Sequence, residues 1–386
     1  MAISRRGFIR VIGGTTVIVA AGAVGLTQCD QMPSEAVEAW RGPDPEETDP
    51  RRRALAYAIL APNPHNMQPW LVDLKEPGVI TLYVDRTRLL PQTDPYSRQI
   101  LIGHGTFLEL LDLAAQSGGY RTKITYFPAG AFPEGAVSDK PVARIEFVRD
   151  PSLKIDPLFK QILHRRSNKE PYDKTRTLRS EHADALPSAY RNPALPLKIT
   201  GDPALVEKLR QIADQAMTIE IKTPRTHMES VERTRIGARE IAKHRDGIDL
   251  HGPMFWWANA LGLFTREKAA TPGTFAYEAG LDYAKGWMEN AVSFGWMTSP
   301  ANRRETQLDT GRAYARLNLR ATELGVAMHP LSQALQEYPE MRATQQKLLS
   351  ATGTPRGHTI QMLFRLGYAE RPAPSPRRAL KDLVIS

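Results

Sequence analysis

Two short stretches carry the residue types that could bind a small molecule. The first is Ala61-Pro-Asn-Pro-His-Asn-Met-Gln-Pro-Trp70. Three prolines in ten residues forbid a helix interior or a central strand, so the chain forms a stiff loop. Asn63, His65, Asn66 and Gln68 offer amide and imidazole groups at fixed places, which suits a planar ligand with polar edges. The plainer alternative is a Pro-rich turn whose Asn side chains bond their own backbone. The second stretch is His164-Arg-Arg-Ser-Asn-Lys-Glu-Pro-Tyr172. Arg165, Arg166, Ser167, Asn168 and Lys169 together match the oxygens of a phosphate, and an exposed basic helix end is the alternative.

The elements around them follow from local pattern. Arg51 to Leu60 reads as a helix stopped by Ala61-Pro62, and Leu71 to Leu74 and Val79 to Val84 read as strands. The loop therefore links a helix to a sheet. Arg98 to Ala115 has helical periodicity and ends near Gly118-Gly119. Lys123 to Phe127 and Val142 to Val148 read as strands, and Leu158 to Leu163 begins a helical stretch. A second helix 206 residues on repeats the first without a gap, pairing Gly105 with Gly311, Leu111 with Leu317, Leu113 with Leu319, Ala115 with Ala321 and Gly119 with Gly325. The repeat favours a duplicated unit over two core helices that merely share amphipathic spacing.

The first stretch resembles the Ala-Pro-Ser-x-x-Asn-x-Gln-Pro-Trp signature of nitroreductase-like flavoproteins, matching at Ala61, Pro62, Asn66, Gln68, Pro69 and Trp70. Asn63 and Pro64 stand where the family has small hydroxyl residues. The second resembles the family's Arg-x-Ser-x-Arg phosphate segment, with Arg165 or Arg166, Ser167 and Lys169 in its positions. Gly325 to Ala334 resembles the segment passing the flavin ring near N5, which makes Pro330, Leu331 and Ser332 cofactor candidates. Gln361 to Tyr368 resembles the closing strand, and Arg377-Arg378 the late basic residues at the phosphate. The resemblance implies FMN held by Pro62, Asn63, Pro64, Asn66, Gln68, Arg165, Arg166, Ser167, Lys169, Pro330, Leu331, Ser332, Arg377 and Arg378. It also implies an α+β nitroreductase-like fold, in a fused subgroup whose two halves form a pseudo-dimer with one FMN site. Flavin chemistry needs no protein acid or nucleophile, so no catalytic side chain is named. The electron acceptor is an unspecified small molecule, and an FMN store with a lid-occluded flavin is the alternative function.

Met1 to Leu26 has the form of an export signal, and Ser4-Arg5-Arg6-Gly7-Phe8-Ile9-Arg10 resembles the twin-arginine motif ahead of the uncharged run Val11 to Leu26. The expected partner is the twin-arginine export machinery, and the expected location is the periplasm or the outer face of the cytoplasmic membrane. Cys29, the only cysteine, excludes an internal disulfide and resembles a lipoprotein processing site, so lipid anchoring competes with simple cleavage. The division expected is a signal over 1–28, a polar tether over 29–50, a first half over 51–150, and a second half over 151–386. That second half carries a lid insertion at about 203–309.

The net charge of +9 falls to +6 when residues 1–28, with three arginines and no acid, are removed. The basic residues are scattered, which excludes a nucleic-acid stripe. His227, His244 and His251 lack tight ligand spacing, so no metal is expected. Met254-Phe-Trp-Trp257 is the densest aromatic cluster, suited to walling a flavin or to packing at a helix start. A fused pseudo-dimer is expected to be monomeric.

Overall fold

The computed structural model describes residues 30–385. The twin-arginine segment and Cys29 lie outside the described residues. The fold is α+β, as expected.

Helix α1 (Pro50–Ala58) is capped by the Asp49 carboxylate on the Arg51 amide and leads through the proline loop to β1 (Trp70–Asp73) and β2 (Val79–Val84). Helix α2 (Arg98–Ser117) follows, its start held by the Asp94 carboxylate, which accepts from the Gln99 and Ile100 amides. Strands β3 (Tyr120–Tyr126) and β4 (Ala143–Arg149) complete the first half. The second half contains β5 (Leu197–Thr200), α3 (Pro203–Lys222), α4 (Pro224–Glu232), β6 (Thr234–Ile236), α5 (Gly237–His244), β7 (Ile248–Leu250) and α6 (Pro253–Ala260). It continues with α7 (Phe275–Glu289), β8 (Ser293–Ser299), α8 (Arg304–Glu323), β9 (Ala327–Pro330), α9 (Arg342–Ala351), β10 (Thr359–Gly367) and β11 (Val384–Ile385).

The strands form a five-stranded sheet ordered β11-β1-β2-β4-β3, a four-stranded sheet β5-β8-β10-β9, and a small pair β6-β7. Strand β11 runs parallel to β1, with Val72 opposite Val384, so the chain end returns to the first sheet. The division at residue 150 is therefore not a clean spatial boundary.

Helices α2 and α8 cross between the sheets at Gly105 and Gly311. A Cβ on Gly105 would collide with the Leu308 carbonyl and lie 2.9 Å from the Gly311 Cα; one on Gly311 would collide with the Ile102 carbonyl and lie 2.7 Å from the Gly105 Cα. The contact is reciprocal in the repeat register, since Ile102 and Leu308 are also 206 residues apart. Each helix reaches into the other half. Ile102 packs with Tyr314, Met328 and Phe364, whereas Leu308, Ala315 and Leu319 join the core of the first sheet.

Two segments differ from expectation. The span 203–309 is not all insertion, because Val206, Leu209, Ile212 and Ala216 of α3 share a core with Phe294 and Trp296 of β8 and with Leu363 of β10. The residues from α4 to α6 lie outside that core, whereas Ala284 and Met288 of α7 join it. Residues 31–50 are not a free tether either: Trp40 is buried and its indole donates to the Ser375 carbonyl at 2.8 Å. Burying an indole is enough to dock an otherwise polar segment.

Gly105→Ala is expected to destabilise the protein by about 3 kcal/mol or more, since backbone rather than a movable side chain blocks the added methyl. A denaturation midpoint within experimental scatter of wild type would contradict the close crossing.

Candidate functional site

The proline loop is folded by its own polar groups. His65, Asn66 and Gln68 all adopt left-handed backbone, with φ of 48°, 52° and 51°. Such conformations cost of the order of 1–3 kcal/mol each and persist only where their surroundings enforce them. Asn63 enforces them from inside the loop: its Oδ1 accepts from the Gln68 amide at 2.7 Å and its Nδ2 donates to the Ala61 carbonyl at 3.1 Å. Pro62 is tied down by the Thr106 hydroxyl, 2.7 Å from its carbonyl, and Pro64 opens the single 3-10 turn over Pro64–Asn66. Gln68 is fully buried, donating to the Arg245 carbonyl at 2.9 Å and accepting from the Arg378 amide at 2.8 Å. The Asn66 amide donates to the Pro376 carbonyl at 3.0 Å and accepts from Arg377 at 2.8 Å. The amides of Asn63, Asn66 and Gln68, expected at a ligand edge, thus hold the loop and the returning chain end.

The second stretch, His164 to Tyr172, lies at the seam between the halves. Arg165 donates to the Leu60 carbonyl at 2.9 Å and to Asn318 on α8 at 3.2 Å, and Asn168 is bonded to the Met328 and Glu370 carbonyls. Arg377, from the chain end, reaches the same Leu60 carbonyl at 3.2 Å. The guanidinium carbons of Arg165, Arg166 and Arg377 stand 5.7, 4.1 and 5.0 Å from the centroid of the Trp40 ring.

Three guanidiniums thus gather on one indole. Each leaves a buried Nε without a partner, and none forms an ion pair with a carboxylate among the described residues. Burial pushes Arg165 down to about 10. Burial, with Arg371 and Arg165 adding like charge, pushes Arg166 down to about 9. Arg377 falls well below its ordinary value through burial and then through Arg165 and Arg166. Three clustered guanidiniums with no carboxylate partner among the described residues have donors free to receive an anion.

The other candidates sort differently. Arg378 donates to the Gln68 carbonyl at 3.1 Å and approaches Asp85 at 3.5 Å, so it braces the loop. Ser167 is half-buried beside the cluster. Lys169 stands apart from the arginines, its ammonium 5.4 Å from the Trp287 ring centroid and its charge acting on His65. Burial, the largest cause, lowers Lys169, while Asp249 of β7 opposes the shift. Pro330 ends β9 opposite Phe364, Leu331 is buried with its amide on the Leu363 carbonyl at 2.8 Å, and Ser332 begins a 3-10 turn. These three line the second sheet rather than meeting the arginines.

The sequence pattern missed several members. Trp40 hid in the polar stretch, where a lone tryptophan was the one signal. His65, which the loop sequence did offer as a polar group, has a buried Nδ1 without a partner, and burial followed by Lys169 and Arg233 pushes it down to about 4. Arg233 follows α4, so the inserted region places a cation near the loop, which no spacing could foretell. His329 accepts from Arg365 at 3.3 Å on Nδ1 and meets Trp287 edge-on at 4.9 Å. The inserted region also clamps the loop: the Gly247 amide donates to the Asn66 carbonyl at 3.1 Å, and Asp246 pairs with Arg88 and Arg235. A cleft lined by Arg86, Leu89, Pro91, Pro95 and Ser97 shares no residue with this arrangement.

No protein-family model matches the chain. It is 24% identical over 362 residues to an uncharacterized protein of Mycobacterium tuberculosis, covering 86% of this chain and 92% of that one. A second relative from the same organism is 23% identical over 352 residues, covering 87% of this chain and 95% of the relative. That relative is provisionally named NAD(P)H nitroreductase acg. Among solved structures, a Bacteroides fragilis nitroreductase with bound FMN aligns over 60% of this chain and 98% of its own, at 16% identity and a TM-score of 0.36. The Mycobacterium smegmatis FMN-dependent nitroreductase NfnB, in complex with NADPH, aligns over 58% and 96% at 16% identity and the same TM-score. A TM-score of 0.36 is too low to carry either ligand over to this chain.

His65 makes the site acid-sensitive. Its depressed value means the unfolded chain takes up a proton that the folded chain refuses as pH falls from 6.5 towards about 4. The neutral imidazole's contribution is complete above pH 6.5 and is lost through that window. His65→Gln is expected to flatten the pH dependence of unfolding free energy there by about one proton; an unchanged slope would show that His65 titrates normally.

Proposed function

We propose that this chain is an exported, FMN-dependent oxidoreductase of the nitroreductase-like family, built as a fused pseudo-dimer with one flavin site at its seam. The observation that carries the reading is the trio of buried Arg165 and Arg377 and half-buried Arg166, gathered on Trp40 without a counter-ion among the described residues. The residues fit a phosphate: fork-shaped donors with unsatisfied Nε groups need a compact dianion. The reciprocal glycine crossing supports the pseudo-dimer, and the whole-length relative named as a nitroreductase supports the chemistry.

When bound, FMN supplies a ring position, N5, that takes up and passes on a hydride or electrons. The chain's residues do the rest. Arg165, Arg166 and Arg377 would hold the phosphate, and Trp40 covers their faces and keeps water from the charges. Gln68 and Asn63 keep the loop in its strained shape, and Lys169 and neutral His65 offer polar groups on the side facing the inserted region. The partners are a small-molecule electron acceptor and, for delivery, the twin-arginine export machinery. Export by that route, with anchoring by lipid at Cys29 or release into the periplasm, follows from the N-terminal resemblance, and the chain acts as a monomer.

The clamp of the inserted region on the loop, through Gly247, Arg245 and Asp246, favours a second reading in which the same flavin is stored behind a closed lid. Fast reoxidation of reduced flavin by a quinone or nitroaromatic supports the enzyme; bound flavin that acceptors cannot reach supports storage.

Arg166→Ala is expected to weaken FMN binding by about 2 kcal/mol, roughly thirtyfold in Kd, measured by fluorescence titration of the apoprotein. Unaltered affinity would remove Arg166 from the site. Arg5→Lys with Arg6→Lys is expected to leave the precursor in the cytoplasm, and continued export of that variant would refute the twin-arginine route.

A further inference from the structure

Helix α6 and the turn after it present an apolar face that the fold leaves uncovered. Ala258 and Phe264 are buried, and Phe255 meets Phe264 edge-on at 5.5 Å, so one side of this segment is used to hold it in place. The other side shows Met254, Trp256, Trp257, Leu261 and Leu263, each between 37 and 61% exposed. The indoles of Trp256 and Trp257 meet edge to face at 4.7 Å. Five large apolar side chains within ten residues make a patch, which a soluble surface does not keep without a use. Lys268 flanks it, its ammonium 2.6 Å from the Gly262 carbonyl, between Leu261 and Leu263.

The position of Asp30 bears on what could cover this face. Asp30 accepts from the Ala238 amide at 2.5 Å and, through its second carboxylate oxygen, from the Gly252 amide at 3.1 Å; its carbonyl also accepts from Gly252 at 2.9 Å. Gly252 is the residue before α6. Directly ahead of Asp30 stand Cys29 and the uncharged run Val11 to Leu26. Whatever holds the N-terminus to a bilayer therefore holds it beside the exposed tryptophans.

We infer that the face of α6 formed by Met254, Trp256, Trp257, Leu261 and Leu263 docks on the surface of the lipid bilayer to which the N-terminus is attached. Indoles favour the boundary between acyl chains and headgroups, leucine and methionine enter the acyl layer, and a flanking lysine meets lipid phosphates. The inference rests on the proposed membrane attachment, and it does not require the flavin to turn over.

The test uses the full chain with vesicles of phosphatidylcholine and phosphatidylglycerol whose acyl chains carry bromine, a contact quencher of tryptophan. Trp256 and Trp257 are two of the six tryptophans; Trp40, Trp70 and Trp296 are buried and Trp287 is half-buried. Flotation with the vesicles reads attachment, quenching reads contact by α6, and visible absorption of bound FMN on the same samples reads the proposed function separately. The chain is expected to float and to lose the part of its emission that Trp256→Phe with Trp257→Phe also removes. Leu261→Asp with Leu263→Asp is expected to float and to keep its melting temperature while losing most of the quenching. A chain that floats unquenched, or does not float, overturns the inference. So does self-association without vesicles that the aspartate variant abolishes, because the occupant would then be a second copy.

Discussion

The close approach of α2 and α8 is the constraint on which the rest of the structure depends. Two helix backbones pass with Gly105 against Gly311, a separation that a single methyl group on either side forbids. Because the contact is reciprocal, Ile102 enters one core and Leu308 the other, and neither half can close its core alone. Ion pairs close the same crossing on its polar side: Glu109 receives Arg312 at 2.7 Å and Arg316 at 2.9 Å, while Asp112 and Asp156 take their second nitrogens. The site at the seam inherits its geometry from this crossing, since Asn318 of α8 and Leu60 after α1 both position Arg165.

The arginines of the site stand out against those of the crossing. At the crossing each arginine has a carboxylate, as with Arg312 and Arg316, and Arg98 has Glu337 at 3.1 Å, whereas the buried Arg304 and Arg365 rest on carbonyl and side-chain acceptors alone. At Arg165, Arg166 and Arg377 the protein supplies carbonyls and an indole. Removing a charge from water without a counter-ion costs several kcal/mol. The unbalanced charge is therefore better understood as affinity held for an anion than as a source of stability.

Two additions to the paired halves act on this site from outside. The N-terminal segment lays Trp40 across the guanidiniums, and the region from α4 to α7 clamps the proline loop through Gly247 and Asp246. Asp30 joins the two additions, because it bonds the amides of Ala238 and Gly252. The N-terminal segment from Asp30, the cover of the site and the exposed face of α6 are thus one connected structure.

Much of this was legible in the sequence because it is local. Prolines 62, 64 and 69 fix a loop whatever surrounds them, the 3.6-residue period marks α2 and its repeat α8, and the 206-residue repeat names Gly105 and Gly311 as equivalent. The tertiary structure decided whatever depends on which distant groups meet. It separated Arg377 from its neighbour Arg378, one on Trp40 and the other on Asp85. It turned the amides of Asn63 and Asn66 inward, assigned α3 and β8 to the core rather than to an insertion, and brought Trp40 from a polar stretch into the site. Local sequence dictates backbone shape through sterics and periodicity. Which side chain faces a ligand and which braces a neighbour is settled by packing between segments hundreds of residues apart.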